Sequence, residues 1–117
     1  MKLAIIGSRK MKIDCVEKYV PDGVDEIVSG GARGIDECAA LYAKAKGIKL
    51  TEFLPEYSKY GRIAPLKRNE IIAEYADEAV AFWDGSSRGT KYAVEAFRKL
   101  GKRVKVVIID SDTKKVE

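Results

Sequence analysis

Two stretches of this chain gather glycines and hydroxyls in the pattern that suits an anion: Ser29-Gly30-Gly31-Ala32-Arg33-Gly34-Ile35-Asp36 and Asp84-Gly85-Ser86-Ser87-Arg88-Gly89-Thr90. Glycine lets backbone N–H groups approach a phosphate with no Cβ in the way. The start of a helix adds unpaired N–H donors and the positive end of a dipole. A third stretch, Gly7-Ser8-Arg9, supplies a turn, a hydroxyl and a guanidinium able to grip phosphate or carboxylate in bidentate fashion. Together the three read as a phosphate cradle.

Each stretch also has a plainer reading. In the first, Ser29, Gly30, Gly31, Ala32 and Gly34 either face a ligand or simply let a helix pack close to a strand. The spacing is neither that of the dinucleotide fingerprint nor that of a P-loop, since no Gly-Lys-Ser/Thr is present. Asp36 is able to cap the helix, to pair with Arg33, or to accept from ribose hydroxyls, which suit a carboxylate better than phosphate does. In the second stretch Ser87, Gly89 and Thr90 form an anion seat or an ordinary hydroxyl N-cap, and both hold at once without conflict. Gly7 alone is a turn and Arg9 a surface charge. Arg68 and Asn69, early in a helical pattern, reach a phosphate and a base or sugar, or lie on a solvated face. Trp83, the single tryptophan, stacks on a base or packs in the core.

The elements that must position these residues alternate strand and helix. Apolar runs at 3–6, 27–28, 48–54, 78–83 and 103–109 have the length of buried parallel strands. Helical spacing occupies 10–20 (Met11, Cys15, Val16, Tyr19), 34–46, 66–75 and 90–100, with Gly47 and Gly101 as C-terminal stops and Pro21-Asp22-Gly23 closing the first. The segment 55–65, holding Tyr57, Tyr60 and Gly61 without periodicity, is expected to be a loop near the site. The pattern implies one α/β domain over 1–117, a five-stranded parallel sheet of expected order 3-2-1-4-5 with helices on both faces. In such sheets ligands bind beyond the carboxyl ends of the strands, where strand order reverses, so the three turns should line one crevice.

Composition narrows the classes. The chain has 117 residues, 46% of them hydrophobic and 34% charged, which suits a folded, soluble domain. No apolar run approaches the roughly 20 residues of a membrane span. Cys15 and Cys38 fall in no metal-spaced or CxxC pattern, so both are expected as reduced core residues of a cytoplasmic protein. A net charge of +4 is spread along the chain with many carboxylates interleaved, a weak pointer to nucleic acid. The chain has no histidine, which removes Ser-His-Asp and Cys-His mechanisms from it. No spaced carboxylate cluster suggests a metal.

In order, Gly7-Ser8-Arg9, the turn from Ser29 to Asp36, Arg68-Asn69, Ala76-Asp77 and Ser87-Arg88-Gly89-Thr90 resemble the SLOG superfamily. That superfamily joins the Smf/DprA DNA-processing proteins, the LOG phosphoribohydrolases and small YpsA-related proteins of unassigned function. The likeness covers nearly the whole chain and is most specific in the 29–36 turn, which has the DprA form. It is nearest to the stand-alone YpsA-related group, because only the Rossmann-like core is present. The resemblance implies a nucleotide or nucleotide derivative as ligand, with no further cofactor required.

LOG enzymes carry Pro-Gly-Gly-x-Gly-Thr-x-x-Glu, and the position of their catalytic glutamate is Ala93 here. Glu95 stands two residues further along a helix, a rotation of about 200°, and should point away. Arg68 matches the LOG arginine and is expected to bind phosphate. Asp36, Asp84 and Glu70 are the remaining candidate carboxylates for acid–base work. The leading expectation is therefore a ligand-binding sensor. The alternatives are a phosphoribohydrolase releasing a base from a nucleoside 5′-monophosphate, and single-stranded nucleic-acid binding through Tyr57, Tyr60 and Trp83. Open sheet edges and helical faces also make a homo-oligomer plausible.

Overall fold

The computed structural model describes residues 1–10, 13 and 16–109. Its elements are β1 (Lys2–Gly7), a 3-10 turn (Val16–Tyr19), β2 (Glu26–Ser29), α1 (Ile35–Lys46), β3 (Lys49–Glu52), α2 (Tyr57–Tyr60), a 3-10 turn (Gly61–Ile63), α3 (Ala64–Tyr75), β4 (Glu78–Trp83), α4 (Arg88–Lys99) and β5 (Val104–Ile108). The five strands form one all-parallel sheet in the order β3-β2-β1-β4-β5, the order expected from the alternating pattern.

Strand alternation splits the apolar residues into two cores. Ala4, Ile6, Val28, Ala79 and Ala81 face Ile72, Ala73, Val94 and Phe97 of α3 and α4. Leu3, Ile5, Ile27, Val80 and Phe82 face Ile35, Ala39 and Ala43 of α1, with Val16 beside them. The alanines on the first face let α3 and α4 lie close to the sheet, so the residues at their N-termini meet above the ends of β1 and β4. At the end of β1, a Cβ on Gly7 would stand 2.5 Å from Ile35 Cγ1, so this glycine is what brings the start of α1 against the strand.

Two expectations need correction. The helix expected over 10–20 is, among the described residues, only the 3-10 turn Val16–Tyr19, while Met11 and Cys15 lie outside the described residues. Packing holds this short turn: Tyr19 meets Phe82 edge to face with ring centroids 5.1 Å apart. The expected loop over 55–65 contains α2 and a 3-10 turn, and α3 begins at Ala64 with Pro65 in its first turn. Proline is welcome there because its missing N–H would have no helical partner. No helix among the described residues is long and apolar enough to cross a membrane.

The far end of α3 is fixed by a single cation. Lys102 Nζ donates to the carbonyls of Ala73, Glu74 and Ala76 at 2.7, 2.9 and 2.7 Å, covering acceptors that have no helical donor. Lys102→Met should lower the stability by about 1 to 3 kcal/mol, read as a lower urea midpoint at unchanged slope.

Candidate functional site

A crevice of about 640 Å³ opens at the carboxyl ends of β1, β2 and β4. It is lined by Gly7, Ser8 and Arg9 after β1; by Gly30, Gly31, Ala32 and Asp36 at the start of α1; by Arg68 and Asn69 on α3; and by Asp84, Ser87, Gly89 and Thr90 at the start of α4. The three turns therefore do share one cleft. Pro55 and Pro65 bring the 55–65 segment to the cleft as expected and Ser86 joins it from the 84–90 turn, while Lys10, Leu54 and Leu66 also line it and were not anticipated. Leu54 carries no chemical signature in sequence, and only the path of the 53–65 segment brings it to the rim.

Arg68 is the most informative side chain. Its Nη1 donates to the Gly30 carbonyl at 2.8 Å and its Nε to Asn69 Oδ1 at 2.9 Å. It is half-buried, and among the described residues no carboxylate oxygen lies within 4.0 Å of it. Burial pulls its pKa below the ordinary guanidinium value, with the nearby charge of Arg9 pulling the same way and the charge of Asp36 working against it. Asn69 in turn points its Nδ2 at the Gly89 carbonyl, 3.4 Å away, so α3 reaches the start of α4.

The two glycine turns differ in whether their donors are free. Around α1, Gly31 N–H donates to Ser29 Oγ, Ala32 N–H to Asp36 Oδ2, Gly34 N–H to Glu37 Oε1 and Ile35 N–H to the Ser8 carbonyl, at 3.3, 3.1, 3.0 and 3.3 Å. These four donors are engaged, while the N–H groups of Asp36 and Glu37, in the first turn of α1, have no intrahelical acceptor. At α4, Asp84 Oδ1 takes the N–H groups of Ser86 and Ser87 at 2.9 and 2.7 Å, and the first helical bond runs from Lys91 N–H to the Ser87 carbonyl. Gly89 and Thr90, both on the crevice, fall in the first turn, where N–H groups have no intrahelical acceptor. Ser87 Oγ makes no capping bond and lies 3.4 Å from Thr90 Oγ1.

Several expected site residues sit elsewhere or act indirectly. Ser29 is buried and braces Gly31, and Gly34, with φ of 72°, is the N-cap of α1; neither lines the crevice. Trp83 donates its indole N–H to the Ser87 carbonyl at 2.9 Å, which holds the α4 turn and leaves the ring off the crevice wall. Arg33 is exposed and makes no ion pair with Asp36.

Among the three carboxylates, Glu70 accepts from Tyr92 Oη on a separate groove of about 320 Å³ between α3 and α4, so it is removed from the crevice. Glu95 lines that same groove while Ala93 lines the crevice, as the helical rotation implied. Asp84 is exposed, and the two N–H groups it accepts hold its carboxyl below the usual range. Asp36 is 7% exposed, and burial raises its carboxyl above the ordinary value of 3.8 despite the Ala32 N–H and the charge of Arg68.

A raised carboxylate pKa means that the folded chain holds the proton where the unfolded chain has lost it, so this group's contribution falls as pH rises above 3.8. Asp36→Asn should therefore be more stable than the natural chain near neutral pH, and that difference should shrink on acidification towards 3.8, measured as paired urea midpoints across pH. Searches of family models, of curated proteins and of solved structures each return no match to this chain, so the assignment of a ligand rests on the chemistry of the crevice itself.

Proposed function

We propose that the crevice binds a nucleotide or nucleotide derivative, with its phosphate at the start of α4 beside Arg68, and that the protein acts as a ligand-binding sensor. The observation that carries this reading is the half-buried Arg68 guanidinium, without a carboxylate within 4.0 Å among the described residues, in the same cleft as Gly89 and Thr90. Open helix-start N–H groups and a cation together make an anion seat, and an incoming phosphate would return to Arg68 the charge partner that burial denies it. The apolar rim of Leu54, Pro55 and Tyr57 offers surface for a base. The resemblance to SLOG proteins leads to the same ligand class.

The phosphoribohydrolase reading keeps one specific observation in its favour. Asp36 combines a place on the crevice with a raised pKa, as a general acid requires. Recovery of free base from the incubated ligand would move the assignment to a hydrolase, and recovery of intact nucleotide keeps the sensor.

Two glycines allow binding to be tested apart from folding. A Cβ at Gly89 meets no protein atom within 4 Å, so Gly89→Ala should leave the free protein as stable or more so, while crowding the anion seat. A Cβ at Gly30 would stand 2.2 Å from Arg68 Nη1, a flexible side-chain end, so Gly30→Ala should displace the guanidinium at little cost to the fold. A screen of nucleoside mono- and diphosphates by thermal shift should show a stabilised natural chain, about 2.7 kcal/mol at 100-fold excess over Kd. Both variants and Arg68→Ala should lose most of that shift. Natural and variant chains responding alike would contradict the assignment.

A further inference from the structure

The walls of the crevice divide by the kind of partner each accepts. The α4 side offers the N–H donors of its first turn and therefore takes an acceptor, and Arg68, bonded to the Gly30 carbonyl and through Asn69 tied to the Gly89 carbonyl, lies between the two walls. The glycine loop ahead of α1 has its donors at Gly31, Ala32, Gly34 and Ile35 already engaged. The α1 side presents to the cleft the carboxylate of Asp36, which is more than nine-tenths buried and lines the crevice. An ionised carboxylate accepts only, with room for several donors, and Ala32 N–H supplies one to Oδ2. Neither Arg33 nor Arg68 comes within 4.0 Å of it. A phosphate would be repelled there, whereas hydroxyl groups would meet an acceptor whose burial is costly until it is bonded.

The order along the cleft fits a phosphorylated ribose. Leu54 lies across the same turn, with its Cδ2 where a Cβ on Gly31 would collide at 2.5 Å, so an apolar surface adjoins Asp36 on the side of β3. From α4 towards β3 the crevice thus offers an anion seat, a hydroxyl acceptor and an apolar rim.

We propose, resting on the nucleotide-binding reading above, that Asp36 accepts from the sugar hydroxyls of the bound nucleotide and so selects ribonucleotides over 2′-deoxyribonucleotides. Arg68 and the start of α4 hold the phosphate in either case, so the sugar preference and the phosphate affinity are separable.

The test is calorimetric titration of the full chain with adenosine and uridine 5′-monophosphates, with their 2′-deoxy counterparts, and with inorganic phosphate as a probe that has no sugar. The natural chain should bind the ribonucleotides about tenfold more tightly or better than the deoxynucleotides. Asp36→Asn keeps the volume and an acceptor for Ala32 N–H, and should bring that ratio close to one while phosphate binds at least as well as before. Asp36→Ser serves the same purpose if the asparagine variant does not fold. Equal affinity for both sugars in a chain that binds phosphate would overturn the selection while leaving nucleotide binding in place. A ribose preference that survives both substitutions would overturn the role of Asp36. Failure of every probe, phosphate included, would overturn the nucleotide reading and this inference with it.

Discussion

Arg68 donates to the Gly30 carbonyl at the end of β2, and Asn69, its neighbour and second acceptor, reaches the Gly89 carbonyl at the start of α4. Three walls of the crevice are tied through these two adjacent side chains. The arrangement requires a glycine at position 30, because the guanidinium occupies the space of a Cβ. It also requires α3 to begin early enough to hold Arg68 within its second turn, which Pro65 favours by fitting the first turn of the helix. Lys102 fixes the other end of the same helix. A cation held in this way, with its hydrogen-bonding partners neutral, keeps its charge available to a ligand.

Glycine content does not reveal whether a turn's donors are open. The 29–36 stretch has three glycines and the stronger resemblance to a nucleotide-binding motif, yet Ser29, Asp36 and Glu37 take the N–H groups of Gly31, Ala32 and Gly34. The 84–90 stretch has a carboxylate of its own, but Asp84 is placed two and three residues before the N–H groups it takes, and these precede the helix. The first turn of α4 is left open. The difference between the two similar sequences is where an internal acceptor sits relative to the helix start.

Much of the architecture was legible because it follows from burial. Runs such as Leu3-Ala4-Ile5-Ile6 and Val80-Ala81-Phe82 are apolar on both faces, which only a covered parallel strand needs, and the alternation with helices then limits the sheet order. The turns at 7–9, 29–36 and 84–90 were legible as crevice residues because all three follow strands. What was hidden depends on tertiary partners. Trp83 reads equally as a stacking ring or a core residue until its N–H is seen on the Ser87 carbonyl, and Glu70 as a spare carboxylate until it is found across from Tyr92. The short helices within 55–65 lack a periodic signal because each spans about one turn.

The most direct test follows backbone amides by ¹⁵N–¹H correlation spectra while a nucleoside 5′-monophosphate is titrated into the natural chain. The largest shifts are expected at Gly89 and Thr90, whose N–H groups lie in the first turn of α4, together with the Arg68 side chain. Gly31, Ala32 and Gly34 should move less, since their donors are already engaged. Shifts centred on residues 31–34 with Gly89 and Thr90 unmoved would contradict the placement of the phosphate, and an unchanged spectrum at saturating nucleotide would contradict the crevice as its binding site.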